Sequence, residues 1–240
     1  MLNKENSKKK LKYRSLKVNK EIYSQNLSIL NFGNASVIDK ERKKIFIKAS
    51  GMDIESCKLS NIVEVDIKKF DIKNYKNLRP SIDTVIHIEL YNYLKNINCI
   101  IHAHSEYSTI ISQSNIEPDC YGTTHADYFK GKIPISDKIT KVNKNNYEHQ
   151  VAQSIISKLK RKNFNYPGIL LRDHGVFAWG EDEKKAINNL IAIEFICKLY
   201  FKTKFLSKKS KISKSVADFH FYRKHSKDKY YGQTNLLKKN

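Results

Sequence analysis

The stretch SVIDKERKKIFIKAS, residues 36–50, holds two short runs of β-forming residues around a charged turn. SVID and KIFIKAS are rich in β-branched and aromatic residues, and DKERK between them is suited to a solvent-exposed reversal. Runs this close pair as a hairpin, because a parallel return needs a longer crossover. The sheet they belong to is therefore expected to be mixed and mainly antiparallel.

Upstream of the hairpin, a loose helical pattern runs from Leu11 to Leu30 through Leu16, Val18, Ile22 and Tyr23. It ends at NFGNAS, where Gly33 and Asn34 suit a turn. The first ten residues are polar and lysine-rich and read as a frayed tail. Downstream, KLSNIVEVDI reads as a strand and RPSIDTVIHIELYNYL as a helix. In that helix Ser81 is the expected N-cap, Asp83 falls in the first turn, and Val85, Ile86, Leu90 and Leu94 recur at helical spacing. NCIIHAHS follows as a buried strand, EYSTIISQS as a short helix and GKIPIS as a strand. Residues 147–161 form another helix, and GILLRDHGVFAWG is a strand interrupted at a glycine. EDEKKAINNLIAIEFICKLYF is a long amphipathic helix with Ala186, Leu190, Ile193, Cys197 and Tyr200 on one side. The pattern predicts one α/β domain, a central mixed, mainly antiparallel sheet flanked by helices, after the basic tail at 1–10.

The chain has 240 residues, with 45 Lys+Arg against 24 Asp+Glu and a formal net charge of +21. Such a balance raises the question of a polyanionic partner. The basic runs NSKKKLKYR, SKLKRKN and KTKFLSKKSKISKS read instead as a tail, a solvated helix end and a surface loop, so nucleic acid is not the expected partner. Cys57, Cys99, Cys120 and Cys197 form no CxxC pair and are expected as reduced thiols. No stretch approaches the roughly 20 apolar residues that span a bilayer, and the start of the chain carries no apolar signal region. The expected compartment is the cytoplasm.

His102 and His104 close an apolar strand one residue apart, and residues at i and i+2 of a strand face the same way. Two imidazoles so spaced can bind one ion. Alone, an HxH is more often a pair of polar residues at a strand end. His174 alters the balance, because it also ends an apolar strand and is followed by Gly175. Asp83 supplies a carboxylate. Three nitrogens and an oxygen of borderline softness suit Zn²⁺ or a similar divalent ion.

GNAS, IKASG, RPSIDT, IIHAHS, GTTHADYFKGKIP, DHGVFAWG and HFYRKHSKDKYYGQ occur in the order and spacing of the L-ribulose-5-phosphate 4-epimerases. The chain resembles that branch of the class II aldolase superfamily from Leu11 to Gln233, which implies a domain over 11–233 and a tail at 234–240. The resemblance implies that His102, His104 and His174 bind zinc with Asp83 as a further ligand. It implies phosphate binding at Asn34, Ser50, Gly51 and Ser81 with Lys48 nearby, an acid/base pair in Asp127 and Tyr231, and an assisting His220. It also implies a homotetramer with active sites between subunits, the C-terminal tyrosine reaching its neighbour's site. Taken singly, Ser50-Gly51 is a turn, Asp127 caps a local helix and Tyr230-Tyr231 are packing aromatics; only their joint occurrence points to a site. The sequence departs from the family at Ile82, where a second serine is usual, and at Ala49, where proline is usual.

Carbon 4 of a ketopentose phosphate is not adjacent to the carbonyl, so simple proton abstraction cannot invert it. Transient oxidation there would require a nicotinamide, and the chain has eight glycines and no GxGxxG, so no NAD site is expected. Cleavage between carbons 3 and 4 leaves an enediolate, which a Lewis acid stabilises, and an aldehyde that turns and is attacked on its other face. The two epimers need one proton-transfer group each, for which Asp127 and Tyr231 are the candidates. The implied function is thus zinc-dependent epimerisation of L-ribulose 5-phosphate and D-xylulose 5-phosphate. A class II sugar-phosphate aldolase, which characteristically has Glu at the position of Asp83, is the alternative, followed by a non-catalytic basic protein that keeps the fold.

Overall fold

A computed structural model describes residues 2–162, 166–207 and 211–227. In chain order the elements are α1 (Leu2–Ser24), β1 (Asn34–Ile38), β2 (Lys44–Lys48), β3 (Ile62–Asp66), α2 (Thr84–Tyr93), β4 (Cys99–Ala103), α3 (Glu106–Ser114), α4 (Thr123–Ala126), α5 (Tyr147–Lys162), β5 (Gly168–Leu171), β6 (Gly175–Gly180), α6 (Glu183–Leu206) and α7 (Lys214–His225). The six strands form one sheet in the order β3-β2-β1-β4-β6-β5, and every ladder is antiparallel. The one parallel pairing is an isolated bridge between Ile135 and Leu170.

The β1–β2 hairpin forms where its sequence requires, with Val37 opposite Phe46 and Ile38 opposite Ile45. Asp39 closes the turn by accepting from the backbone N–H groups of Lys43 and Lys44 at 2.7 and 3.0 Å. Arg42 takes φ of 55° in the turn and forks its guanidinium onto the carbonyls of Tyr91, Leu94 and Ile97, tying the hairpin to the end of α2. Ile45, Ile47, Val65, Ile100, Ile101, Leu170 and Phe177 are fully buried in the sheet's core.

Four expectations are corrected. Helix α1 starts at Leu2, so residues 2–10 extend the helix instead of fraying; they are rich in lysine, a good helix former, and Lys8 pairs with Glu64. The GKIPIS segment is not a strand: Pro134 has no N–H to donate, and pairing stops at the single Ile135 bridge. The GILLRDHGVFAWG run is two strands joined by a tight turn in which Asp173 has φ of 61° and His174 N–H donates to Leu171 O. Residues 214–225, whose upstream part reads as a surface loop, form helix α7, capped by Ser213 on Val216 N.

The four cysteines are free, three of them buried, as their scatter predicts. Among the described residues no helix is long and apolar enough to cross a membrane. The proposed tail at 234–240 lies outside the described residues.

Candidate metal centre and anion site

His102 is on β4, where it stands opposite Asn34 of β1 and Phe177 of β6. Residues opposite one another in antiparallel strands project to the same face, so these three side chains share one side of the sheet. His104 lies just past the end of β4, and His174 sits in the β5–β6 turn beside it. Both neighbouring rings bring Nε2 to 3.1 Å from Nε2 of His102, and the three ligand atoms all lie within 4.8 Å of one another. Glycine is required at 175, because a Cβ there would stand 2.6 Å from the Ala103 carbonyl oxygen and 3.6 Å from the His102 ring.

The donor set fits a cation. His102 Nδ1 lies 3.1 Å from the Val176 carbonyl, so it carries the proton and leaves Nε2 as a lone pair facing two other imidazoles. Two nitrogens each about 2.0–2.1 Å from a tetrahedral zinc lie roughly 3.3 Å apart, close to the observed separation. Burial and mutual repulsion push His104 down to about 4 and lower His174 as well, which keeps the rings neutral, the form that binds metal. Phe177 stacks on His102 and Phe32 on His104, giving the trio apolar walls.

Asp83 is not one of the three convergent ligands. It occupies the N-cap position of α2 but makes no side-chain cap bond; Asn34 Nδ2 instead donates to its Oδ2 at 2.6 Å. Its carboxyl is held below the ordinary range despite burial, by the electrostatic pull of His102, His87, Asn34 and His174. Ser81, expected as the N-cap, sits two residues before it: its Oγ accepts from Asn34 Nδ2 at 3.0 Å and Asp83 N at 3.3 Å, and its carbonyl accepts from Thr84.

Backbone pairing of the two segments joins the phosphate candidates. Ala49 bridges Pro80, Ser81 N–H donates to Lys48 O, and Ser50 N–H donates to Arg79 O. Lys48 is buried, its ammonium donating to Met52 O at 2.7 Å, and desolvation lowers its pKa. Gly51 has φ of 69° and faces open space, and Ile82, at the unusual position, is 66% exposed.

Asp127 and His220 come together in a second cluster. Asp127 follows α4, and its carboxylate meets His220 Nδ1 at 3.2 Å, Arg223 Nη2 at 3.2 Å and Lys224 Nζ at 2.9 Å, all on α7. Against its partial burial, the ion pair with Lys224 foremost, and the hydrogen bonds from His220 and Arg223, hold its carboxyl below the ordinary range. Asp127 lines a cavity of about 910 Å³ with Tyr128, Trp179, Lys224 and His225; none of the three ligand histidines lines it. Tyr231 lies outside the described residues. Sequence reading passed over His87 and Glu194, described below; the four-residue step from Asp83 to His87 on one helix was the available signal for the first.

A six-stranded antiparallel sheet flanked by helices is the fold this chain shares with class II aldolases. Residues 14–201 match the family model described as the class II aldolase and adducin N-terminal domain, and the chain belongs to that family. Among solved structures, an L-fuculose 1-phosphate aldolase aligns with a TM-score of 0.74 at 22% identity, over 89% of this chain and 95% of that one. The L-fuculose 1-phosphate aldolase of Glaciozyma antarctica PI12 gives 0.72 at 16% identity, over 90% and 82%. YgbL of Escherichia coli, a candidate aldolase/epimerase/decarboxylase, gives 0.69 at 17% identity, over 89% and 99%. At these identities the likeness establishes the shared fold.

Proposed function

We propose that the protein is a cytoplasmic, zinc-dependent sugar-phosphate enzyme, an L-ribulose-5-phosphate 4-epimerase that breaks and re-forms the bond between carbons 3 and 4. The observation that carries this reading is the convergence of three imidazoles near an aspartate, Asp83, to which Asn34 donates at 2.6 Å. A divalent ion held by His102, His104 and His174, with Asp83 beside them, supplies Lewis acidity toward the oxygens of an enediolate.

The protein's own residues then have separate tasks. The paired segments carrying Lys48, Ser50, Gly51 and Ser81, with Asn34 beneath them, hold the phosphate, so the aldehyde fragment turns without leaving. Asp127, kept ionised by its α7 cations, takes the proton from the carbon 4 hydroxyl of one epimer and returns it, with His220 assisting. Tyr231 serves the other epimer. Asp127 and the histidines form separate clusters in one chain, which accords with a homotetramer whose sites draw Asp127 from a neighbouring subunit.

A class II aldolase is the second reading, favoured by one observation. The Asp127 carboxylate is committed to two cations, Arg223 and Lys224, and to His220, while the histidine cluster and phosphate loops alone suffice for cleavage. Incubation with L-ribulose 5-phosphate separates the two. Interconversion with D-xylulose 5-phosphate, abolished by chelation, restored by Zn²⁺ and lost in His102→Ala, is expected. Release of free glycolaldehyde phosphate without epimer would establish the aldolase. Absence of any turnover by the folded, metal-loaded protein would overturn both.

A further inference from the structure

Strand β1 and helix α2 meet along a polar seam whose deeper half, Ser36, His87 and Tyr91, the proposed chemistry does not use. The seam arises from two periodicities: Asn34 and Ser36 share one face of the strand, and Asp83, His87 and Tyr91 recur every four residues on α2. Asn34 holds Asp83 at 2.6 Å. One step deeper, Ser36 Oγ lies 2.7 Å from His87 Nδ1 and 3.0 Å from Tyr91 Oη, while Tyr91 donates its own proton to Ser36 O at 2.9 Å. With the Tyr91 proton on that carbonyl, the Ser36 hydroxyl donates to the nearer His87 Nδ1, and the neutral ring carries its proton on Nε2.

His87 is 0% exposed, and its Nε2 has no partner among the described residues; neither has Asn34 Oδ1 on the same seam. A wholly buried imidazole whose second nitrogen is unmatched is a poor packing element, since an apolar side chain fills the same space without leaving a buried donor. His87 N–H donates to the Asp83 carbonyl at 3.0 Å, one helical turn back, and the ring's edge meets the Phe177 ring that stacks on His102.

We propose that His87 is a positioning residue of the metal centre: its ring, fixed by Ser36, packs against the Phe177 ring that stacks on His102 and lies one helical turn from Asp83, and so keeps Asp83 and the His102 side of the histidine trio in register for the ion. The inference rests on the histidines being metal ligands. Ser36 and Tyr91 set the ring's tautomer, and β1 transmits the arrangement to His102 through the Asn34–His102 pairing. His87 touches no substrate in this arrangement; it acts through Asp83.

The test uses the full chain as wild type, His87→Leu, His87→Asn, His87→Gln and His102→Ala. Zn²⁺ affinity is measured by competition with a chromophoric chelator, and the Co²⁺ form by its visible absorption. Asn places an amide near the position of Nδ1 and Gln near that of Nε2. The expected result is a loss of affinity of about 10–100-fold in His87→Leu and His87→Asn, a changed Co²⁺ spectrum, and substantial recovery in His87→Gln. Thermal unfolding of the metal-free variants separates a folding loss from a positioning loss, since the Asn and Gln variants are both polar replacements. Wild-type affinity in His87→Asn, or recovery by Asn and not by Gln, overturns the inference. If wild type and His102→Ala bind equally weakly, the histidine reading fails first and this inference with it.

Discussion

Helix α3 begins two residues after His104, and its N-terminus is capped from another part of the chain. Its own N-cap residue, Ser105, makes no side-chain cap bond, and its buried hydroxyl has no partner among the described residues. Glu194, on α6, supplies the missing acceptor: Oε1 accepts from Tyr107 N–H at 2.7 Å, and Oε2 from Ser108 N–H at 2.9 Å and Ser108 Oγ at 2.7 Å. These are the second and third helical positions, the donors a capping side chain normally serves, and the carboxylate also sits at the positive end of the helix. Glu194→Ala removes three charge-assisted bonds of about 1.5–3 kcal/mol each. The site is only partly buried, so water recovers part of that, and cap deletions alone cost about 0.5–2 kcal/mol. The expected net loss is about 3 kcal/mol, or roughly 6–12 °C in Tm for a chain of this size. Glu194→Gln retains one acceptor but turns an NH₂ toward an N–H donor, and should lose about 2 kcal/mol. Urea unfolding with a Glu194→Ala/Ser108→Ala double-mutant cycle measures the effect. A Glu194→Ala loss below about 0.5 kcal/mol would refute the capping argument.

Two further outcomes follow from local geometry. Gly175→Ala drives a Cβ against the Ala103 carbonyl, which is backbone and cannot swing aside; we expect a loss of about 1–3 kcal/mol together with weakened metal binding, and an unchanged denaturation midpoint would contradict this. His125 is buried, with Nε2 2.7 Å from Gly131 O, and burial pushes it down to about 4 against about 6.5 in the unfolded chain. Because the folded value is depressed, the stability that depends on its neutral ring is complete above about pH 6.5 and is lost as pH falls toward 4, by up to about 3 kcal/mol. The stability gap between wild type and His125→Gln should accordingly narrow by about 2 kcal/mol between pH 7.5 and 4.5. A gap that is constant across that range would show that His125 is not the titrating group.

Features legible in the sequence were those set by neighbours along the chain. The 36–50 hairpin follows from two β-rich runs and a turn too short for anything but an antiparallel return, and the ladder Val37–Phe46 is the direct result. The strand ending at His102-Ala103-His104 and the long helix α6 were readable from period-two and period-3.6 patterning. The limits were also local. Lysine-rich residues 2–10 carry no apolar stripe, so their helix was invisible to periodicity, and Pro134 stopped the pairing that the apolar GKIPIS pattern suggested.

By itself, then, the sequence determined a mainly antiparallel sheet, the HxH at a strand end and, through its motifs, the family to which residues 14–201 belong. Tertiary structure alone decided that His174 stands 3.1 Å from His102 across 72 residues of chain, that Asp83 turns toward Asn34 instead of capping α2, and that Asp127 gathers with α7 rather than with the histidines. The physical reason is range. Strand and helix periodicities are set by the rotation of the backbone from one residue to the next, whereas a site is made where distant segments pack. Which side chains meet there depends on sheet order, strand register and burial, and none of these has a counterpart in residue spacing.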